Sequence, residues 1–224
     1  MFYAPFSWSA SSLTIASPTD LEPYMTTALG LSALAASPGI DAPPEPGDLS
    51  LSLAGAELVD LVDLQAVLLD DGRLLPAASP RIQDDLLLEA ASTIVRDAPY
   101  ETVEQWLWRR GRDLAARYRR ALEATVSGTP AHSSRRSFRR SRPLPVVPPA
   151  VDRVLGRMTD GRPVVVALAA AARIVEAADE TLGELDPDEA AVVGAVHQAV
   201  TRLAAERQRR SIERVGFDDI ARGF

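Results

Sequence analysis

The run from Val164 to Ala172 holds nine apolar residues with no polar face and stops at Arg173. Crossing a bilayer takes about 20 such residues, so this run is too short to span one. A helix that is apolar all round must instead be enclosed by other helices. Opened by Asp160 and Pro163 and expected to reach residue 178, it predicts a central helix with others wrapped around it.

The rest of the chain supplies the wrapping. From Leu53 the helical period places Leu58, Leu61, Val62, Gln65 and Leu68 on one stripe, with Glu57, Asp60 and Asp63 directed elsewhere. Asp71-Gly72, between short apolar runs, signals a tight hairpin. Asp84 is a candidate N-cap for a helix with Leu87, Ala91, Ile94 and Val95 inward. Thr102 and Gln105 have capping-box spacing, Gly111 is a break, and Leu114, Tyr118, Leu122 and Val126 recur every four residues beyond it. A short helix at 150–158 follows, and Asp186-Pro187 opens a last long helix carrying Val192, Val193, Val196, Val200 and Leu203. The predicted fold is mainly α: a compact domain with a central helix bundle, amphipathic outer helices and one or two small β-hairpins. Residues 1–47 are rich in Pro, Ser, Ala and Gly and lack periodicity, so they are expected to form a poorly ordered leader before a domain at 48–224. Met25 is an alternative start within that leader.

At 224 residues the chain suits one domain with extensions, and the absence of cysteine excludes disulfides, thiolate metal sites and cysteine catalysis. Every one of its 24 basic residues is Arg, a bias that points to a GC-rich bacterial genome. Charge is unevenly placed. Between Trp106 and Arg142 eleven Arg face only Asp113 and Glu123, a balance of +9, which leaves −16 for the remainder of a chain of net charge −7. Such asymmetry predicts an anionic partner on one face. Its densest part is Arg135, Arg136, Arg139, Arg140 and Arg142, with Phe138 between the pairs as a candidate apolar anchor. Trp108, two positions from Trp106, must face the opposite way, as an interfacial or stacking residue would.

No active site is legible. His197 reads as a core or boundary residue, and His132 has no carboxylate nearby in sequence. The pairs Asp70-Asp71 and Asp84-Asp85 belong to a turn and a helix start. No glycine-rich phosphate loop, nucleophile elbow or metal-ligand spacing occurs, so neither an enzyme nor a bound metal or cofactor is expected. Without a basic signal region or a membrane span, the sequence predicts a cytoplasmic protein, soluble or peripheral to the cytoplasmic face of a membrane.

The stretches "LSLAGAELVDLVDLQAVLLDDGRLLP", "DDLLLEAASTIVRDAPYETVEQWLWRRGRDLAARYRRALEATV" and "MTDGRPVVVALAAAARIVEA" together resemble the Golgi phosphoprotein 3 family, in a divergent bacterial branch, over roughly residues 49–182. The resemblance implies a peripheral membrane adaptor that binds phosphatidylinositol phosphate, carries protein cargo, and makes membrane and homo-oligomer contacts through a hairpin at 130–145. Its headgroup pocket uses an early Trp and Arg plus two Arg three apart. Arg112 matches the first of that pair, Ala115 the second and Ala54 the early Arg, while the Trp position falls in the Pro-rich linker. The lipid-facing set read from this chain is therefore Trp108, Arg112 and Arg117 with Arg135, Arg136, Phe138, Arg139, Arg140 and Arg142, acting more by charge than by a pocket. The competing reading is a nucleic-acid-binding or purely protein-interacting helical domain with a solvated basic loop; the acidic remainder makes nucleic acid the weaker option.

Overall fold

A computed structural model of the chain describes residues 26–37, 40, 43–77, 81–127, 162–176 and 183–222. Seven helices and one two-stranded hairpin are found among them: α1 (Thr27–Ala35), α2 (Pro46–Asp63), β1 (Val67–Asp70), β2 (Arg73–Pro76), α3 (Asp85–Ser92), α4 (Val103–Arg110), α5 (Leu114–Ser127), α6 (Pro163–Ala171) and α7 (Pro187–Arg222). The fold is mainly α. The expected helix at 150–158 and the basic segment at 132–145 lie outside the described residues.

The hub is α2 rather than the alanine-rich α6. It packs on α1, α3, α4, α5, α6, α7 and β1, and from Ser50 to Leu61 every residue is buried. The expected outward face at Glu57 and Asp60 is therefore corrected: both carboxylates point into the protein, where they are held by partners distant in sequence. The helix also ends earlier than the apolar period suggested. Gln65 adopts a left-handed conformation (φ 55°) and Leu68 lies on β1, exposed. The Asp71-Gly72 turn forms as expected, with φ of 47° and 71°, the positive pair a type I′ hairpin requires. It aligns Leu69 with Leu74 and Asp70 with Arg73.

The expected leader is corrected over its second half. Residues 27–35 form a buried helix against α2, α5 and α6. It is buried nearly all round and so gives no amphipathic period, and its N-terminus is capped twice. Thr26 accepts from the Leu29 amide at 3.2 Å. Asp60 accepts from the Thr27 amide at 3.1 Å, the Thr27 hydroxyl at 2.5 Å and the Ala28 amide at 3.4 Å. Arg162, just before α6, stands 3.7 Å from the same carboxylate and also pairs with Asp63. One acid thus ties α1, α2 and α6 together.

That junction has a pH signature. Burial pushes the Asp60 carboxyl up to about 6, against the pull of the Thr27 hydrogen bonds and Arg162. The folded protein then holds this proton more tightly than the unfolded chain, so stability falls as pH rises from about 4 to about 6, by about 3 kcal/mol in all. Asp60→Asn retains an acceptor for Thr27 and is expected to flatten that slope in urea melts taken across this range. Identical slopes for both proteins would remove Asp60 as its source.

Two helix ends differ from expectation. α6 stops at Ala171, not 178: Arg173 is left-handed (φ 60°) and the Ile174 amide bonds to Ala169 O at 2.9 Å, closing the end from outside the helix. α3 stops at Ser92, where the Ser92 and Thr93 hydroxyls take its last carbonyls, so Val95 leaves the stripe and stands exposed. α7 begins as predicted, the Asp186 carboxylate accepting from the Asp188 and Glu189 amides at 2.9 Å. Val192, Val193, Val196 and Val200 are buried, whereas His197 is exposed and belongs to neither core nor boundary.

Candidate functional site

The arginines from 109 to 117 are sorted by a kink between α4 and α5. The Thr102–Gln105 capping box forms in both directions, and two strand-like bonds, Leu74 N to Glu101 O (2.8 Å) and Val103 N to Gly72 O (3.0 Å), fasten the start of α4 to the hairpin. α4 is capped by Gly111, and Asp113 turns left-handed (φ 55°) before α5. Trp106 is fully buried, its indole N–H donating to Ala54 O at 3.0 Å. Trp108 points the opposite way and is 37% exposed.

Trp108 lies in an open cleft of about 600 Å³ lined by Val95, Pro99, Glu101, Glu104, Gln105, Arg109 and Arg112. Its charges largely cancel. Glu101 takes Arg109 in a two-point pair at 2.8 and 2.6 Å, with that guanidinium 5.2 Å from the Trp106 ring centre, and Glu104 pairs with Arg202 across on α7. Arg112 has no ion-pair or hydrogen-bond partner among the described residues. The cleft therefore presents an apolar surface, Trp108 with the 39%-exposed Val95, beside one uncompensated cation.

Arg110 and Arg117 turn elsewhere. Arg110 is buried and donates to both oxygens of Glu57, at 2.7 and 2.8 Å, to Glu89 at 3.0 Å and to Leu86 O at 3.0 Å. The Tyr118 hydroxyl donates to Glu57 at 3.0 Å. Burial raises the Glu57 carboxyl, with Arg110 the strongest opposing influence; burial likewise raises the Tyr118 phenol, which stays protonated. Arg117 pairs with Glu89, whose carboxyl that bond lowers.

Of the residues expected to face lipid, the structure brings Trp108 and Arg112 together in one cleft and places Arg117 on Glu89, outside that lining. Arg135, Arg136, Phe138, Arg139, Arg140 and Arg142 lie outside the described residues. Ala54 and Ala115 are framework positions: Ala54 is fully buried beneath Trp106, and the Ala115 amide donates to the Ser50 hydroxyl at 3.0 Å. The sequence reading missed the Glu57–Arg110–Glu89–Arg117 chain. Its signal was a lone Glu in the apolar run "LSLAGAELV", a position where a solvated acid has no place.

Among the described residues no group of three or more His, Asp or Glu is placed to hold a metal ion, and no helix is long and apolar enough to cross a membrane. No curated protein and no solved structure matches the chain. A family model does, that of Golgi phosphoprotein 3 (GPP34), over residues 33–215. That match takes in α2 to α6 whole, most of α7 and the end of α1, and the chain belongs to the Golgi phosphoprotein 3 family.

Proposed function

We propose that this protein is a non-enzymatic adaptor that docks peripherally on the cytoplasmic face of a membrane, binding anionic lipid on one side and a protein cargo on another. The observation that carries this reading is that exposed Trp108 shares one cleft with Arg112, which has no partner among the described residues. An amphipathic ring beside a free cation suits the boundary between acyl chains and anionic headgroups. The arginines of 135–142 add attraction of about 1 kcal/mol each near such a surface. Family membership supports the adaptor role, whereas Ala54 and Ala115, where the family's pocket has arginines, favour charge over headgroup recognition.

Flotation with neutral phosphatidylcholine vesicles, with phosphatidylserine-containing vesicles and with phosphoinositide-containing vesicles tests this. Binding is expected on both anionic kinds and is expected to fade at 1 M salt, where the screening length falls to about 3 Å. Trp108→Ala and Arg112→Ala are each expected to weaken binding about five-fold, the equivalent of about 1 kcal/mol. Replacing the five arginines of 135–142 by Ser is expected to abolish it. Salt-resistant binding to phosphoinositide vesicles alone would establish a built pocket. Failure on every vesicle, with a shift of duplex DNA instead, would move the function to nucleic acid.

A further inference from the structure

Arg110 and Arg117, on either side of the kink, converge on one carboxylate. Arg110 Nη1 donates to Glu89 Oε1 at 3.0 Å, and Arg117 Nη2 donates to the other oxygen. The two guanidinium groups differ in need. Arg110 is already neutralised by its two-point pair with buried Glu57, whereas Glu89 is the one acid paired with Arg117 among the described residues. They differ in access too: the Glu89 side chain is 46% exposed and that of Arg117 29%, so the pair opens to solvent while Glu57 does not.

Two guanidinium N–H groups aimed at neighbouring oxygens of one anion are the arrangement that carboxylate and phosphate share. We infer that Arg110 and Arg117 form a binding site for a phosphomonoester, which Glu89 occupies in the free protein as an internal competitor. Glu89 leaves by rotating its own exposed side chain, without movement of α3. The incoming phosphate brings more negative charge than the carboxylate it replaces, and the Glu57–Arg110 pair stays intact beneath it. This deepens the anionic-lipid reading, on which its physiological setting rests, and it separates the site from Arg112, which has different neighbours.

Glu89→Gln tests it, because the amide keeps the shape and one acceptor oxygen but gives up the charge. The full chain and the variant are titrated with inorganic phosphate, and floated with phosphatidic acid vesicles and with phosphatidylserine vesicles of equal charge. Removing a charge-assisted competitor is expected to tighten binding of phosphate and of phosphatidic acid roughly ten-fold, with a smaller gain on phosphatidylserine. Adding Arg117→Ala to Glu89→Gln is expected to cancel the gain. A gain confined to vesicles assigns the site to a lipid headgroup, and one confined to phosphate assigns it to a soluble anion. No gain in either arm, from a variant that melts as the parent does, would make Glu89 a structural strut and overturn the inference. In the parent protein Arg117→Ala is a second check, expected to weaken phosphatidic acid binding while Arg112 remains. A parent that floats on no vesicle would sink the adaptor reading and leave the phosphate titration of Glu89→Gln still decisive.

Discussion

Arg110→Ala is expected to cost about 3–5 kcal/mol, because it strands a fully buried carboxylate at the centre of the domain. Glu57 would keep only the Tyr118 hydroxyl, at 3.0 Å, of the three side-chain bonds it now accepts. For a domain of this size the loss corresponds to a fall on the order of 10 °C in melting temperature. The cost is expected to depend on pH in a defined direction. Burial already raises the Glu57 carboxyl and Arg110 pulls it back, so removing Arg110 leaves burial less opposed. The folded variant then holds a proton that the unfolded chain releases. Its stability is greatest at low pH and is lost as pH rises, so the deficit against the parent should be larger at pH 8 than at pH 5. A paired replacement, Glu57→Met with Arg110→Met, is expected to recover most of the loss, since neither apolar side chain needs desolvating. Urea melts of the three proteins at both pH values check this. A single variant that loses under about 1 kcal/mol at both would mean that water reaches Glu57.

The same residues show where sequence reading stops. Signals carried within a few residues were legible: the Asp71-Gly72 hairpin, the caps at Asp84, Thr102 and Asp186, and the stripe of Leu114, Tyr118 and Leu122. Each rests on local backbone chemistry that needs no tertiary partner. Glu57 and Asp60 were misread because a helical period assigns acids to solvent, and nothing local to α2 announces Arg110, 53 positions on, or Thr27, 33 positions back. α1 was missed for a related reason. "TALGLSALA" has no polar face to contrast with an apolar one, and its burial follows from the neighbours that enclose it. In the candidate site, the opposed directions of Trp106 and Trp108 followed from their spacing. The choice between Arg112 and Arg117 did not. It depends on which acid each arginine meets: tertiary folding brings Glu89 to Arg117, while Glu101 takes Arg109 and leaves Arg112 without a partner among the described residues. Ala54 belongs to the same class: an alanine in sequence, it proves to be the floor on which the Trp106 indole is fixed.

Gly55→Leu is expected to abolish cooperative folding, because α2 crosses α6 and α7 at this residue with no room for a side chain. A Cβ there would lie 2.5 Å from Val196 Cγ2, 3.3 Å from Leu168 Cδ2 and 3.5 Å from Val192 Cγ1. Carbon atoms rest at about 3.5–4.0 Å, so even the single methyl of Gly55→Ala requires α7 to retreat by about 1 Å. Val196 cannot yield instead: it is fully buried and β-branched, with one favoured χ1 in a helix. Overpacking of this kind costs about 1–3 kcal/mol, against at most about 1 kcal/mol gained from the better helix propensity of Ala. Gly55→Ala is therefore expected to destabilise. Gly194 supplies the control on α7, exposed and with nothing within 4 Å of a Cβ. There the same substitution feels only propensity and is expected to stabilise by about 0.5–1 kcal/mol. The opposite signs separate packing from backbone effects. Combining Gly55→Ala with Val196→Ala moves the missing volume from one side of the crossing to the other and is expected to restore most of the loss, a coupling that independent sites would not show. Additive effects of the two substitutions, or equal effects at Gly55 and Gly194, would mean that α7 does not press on α2 at this crossing.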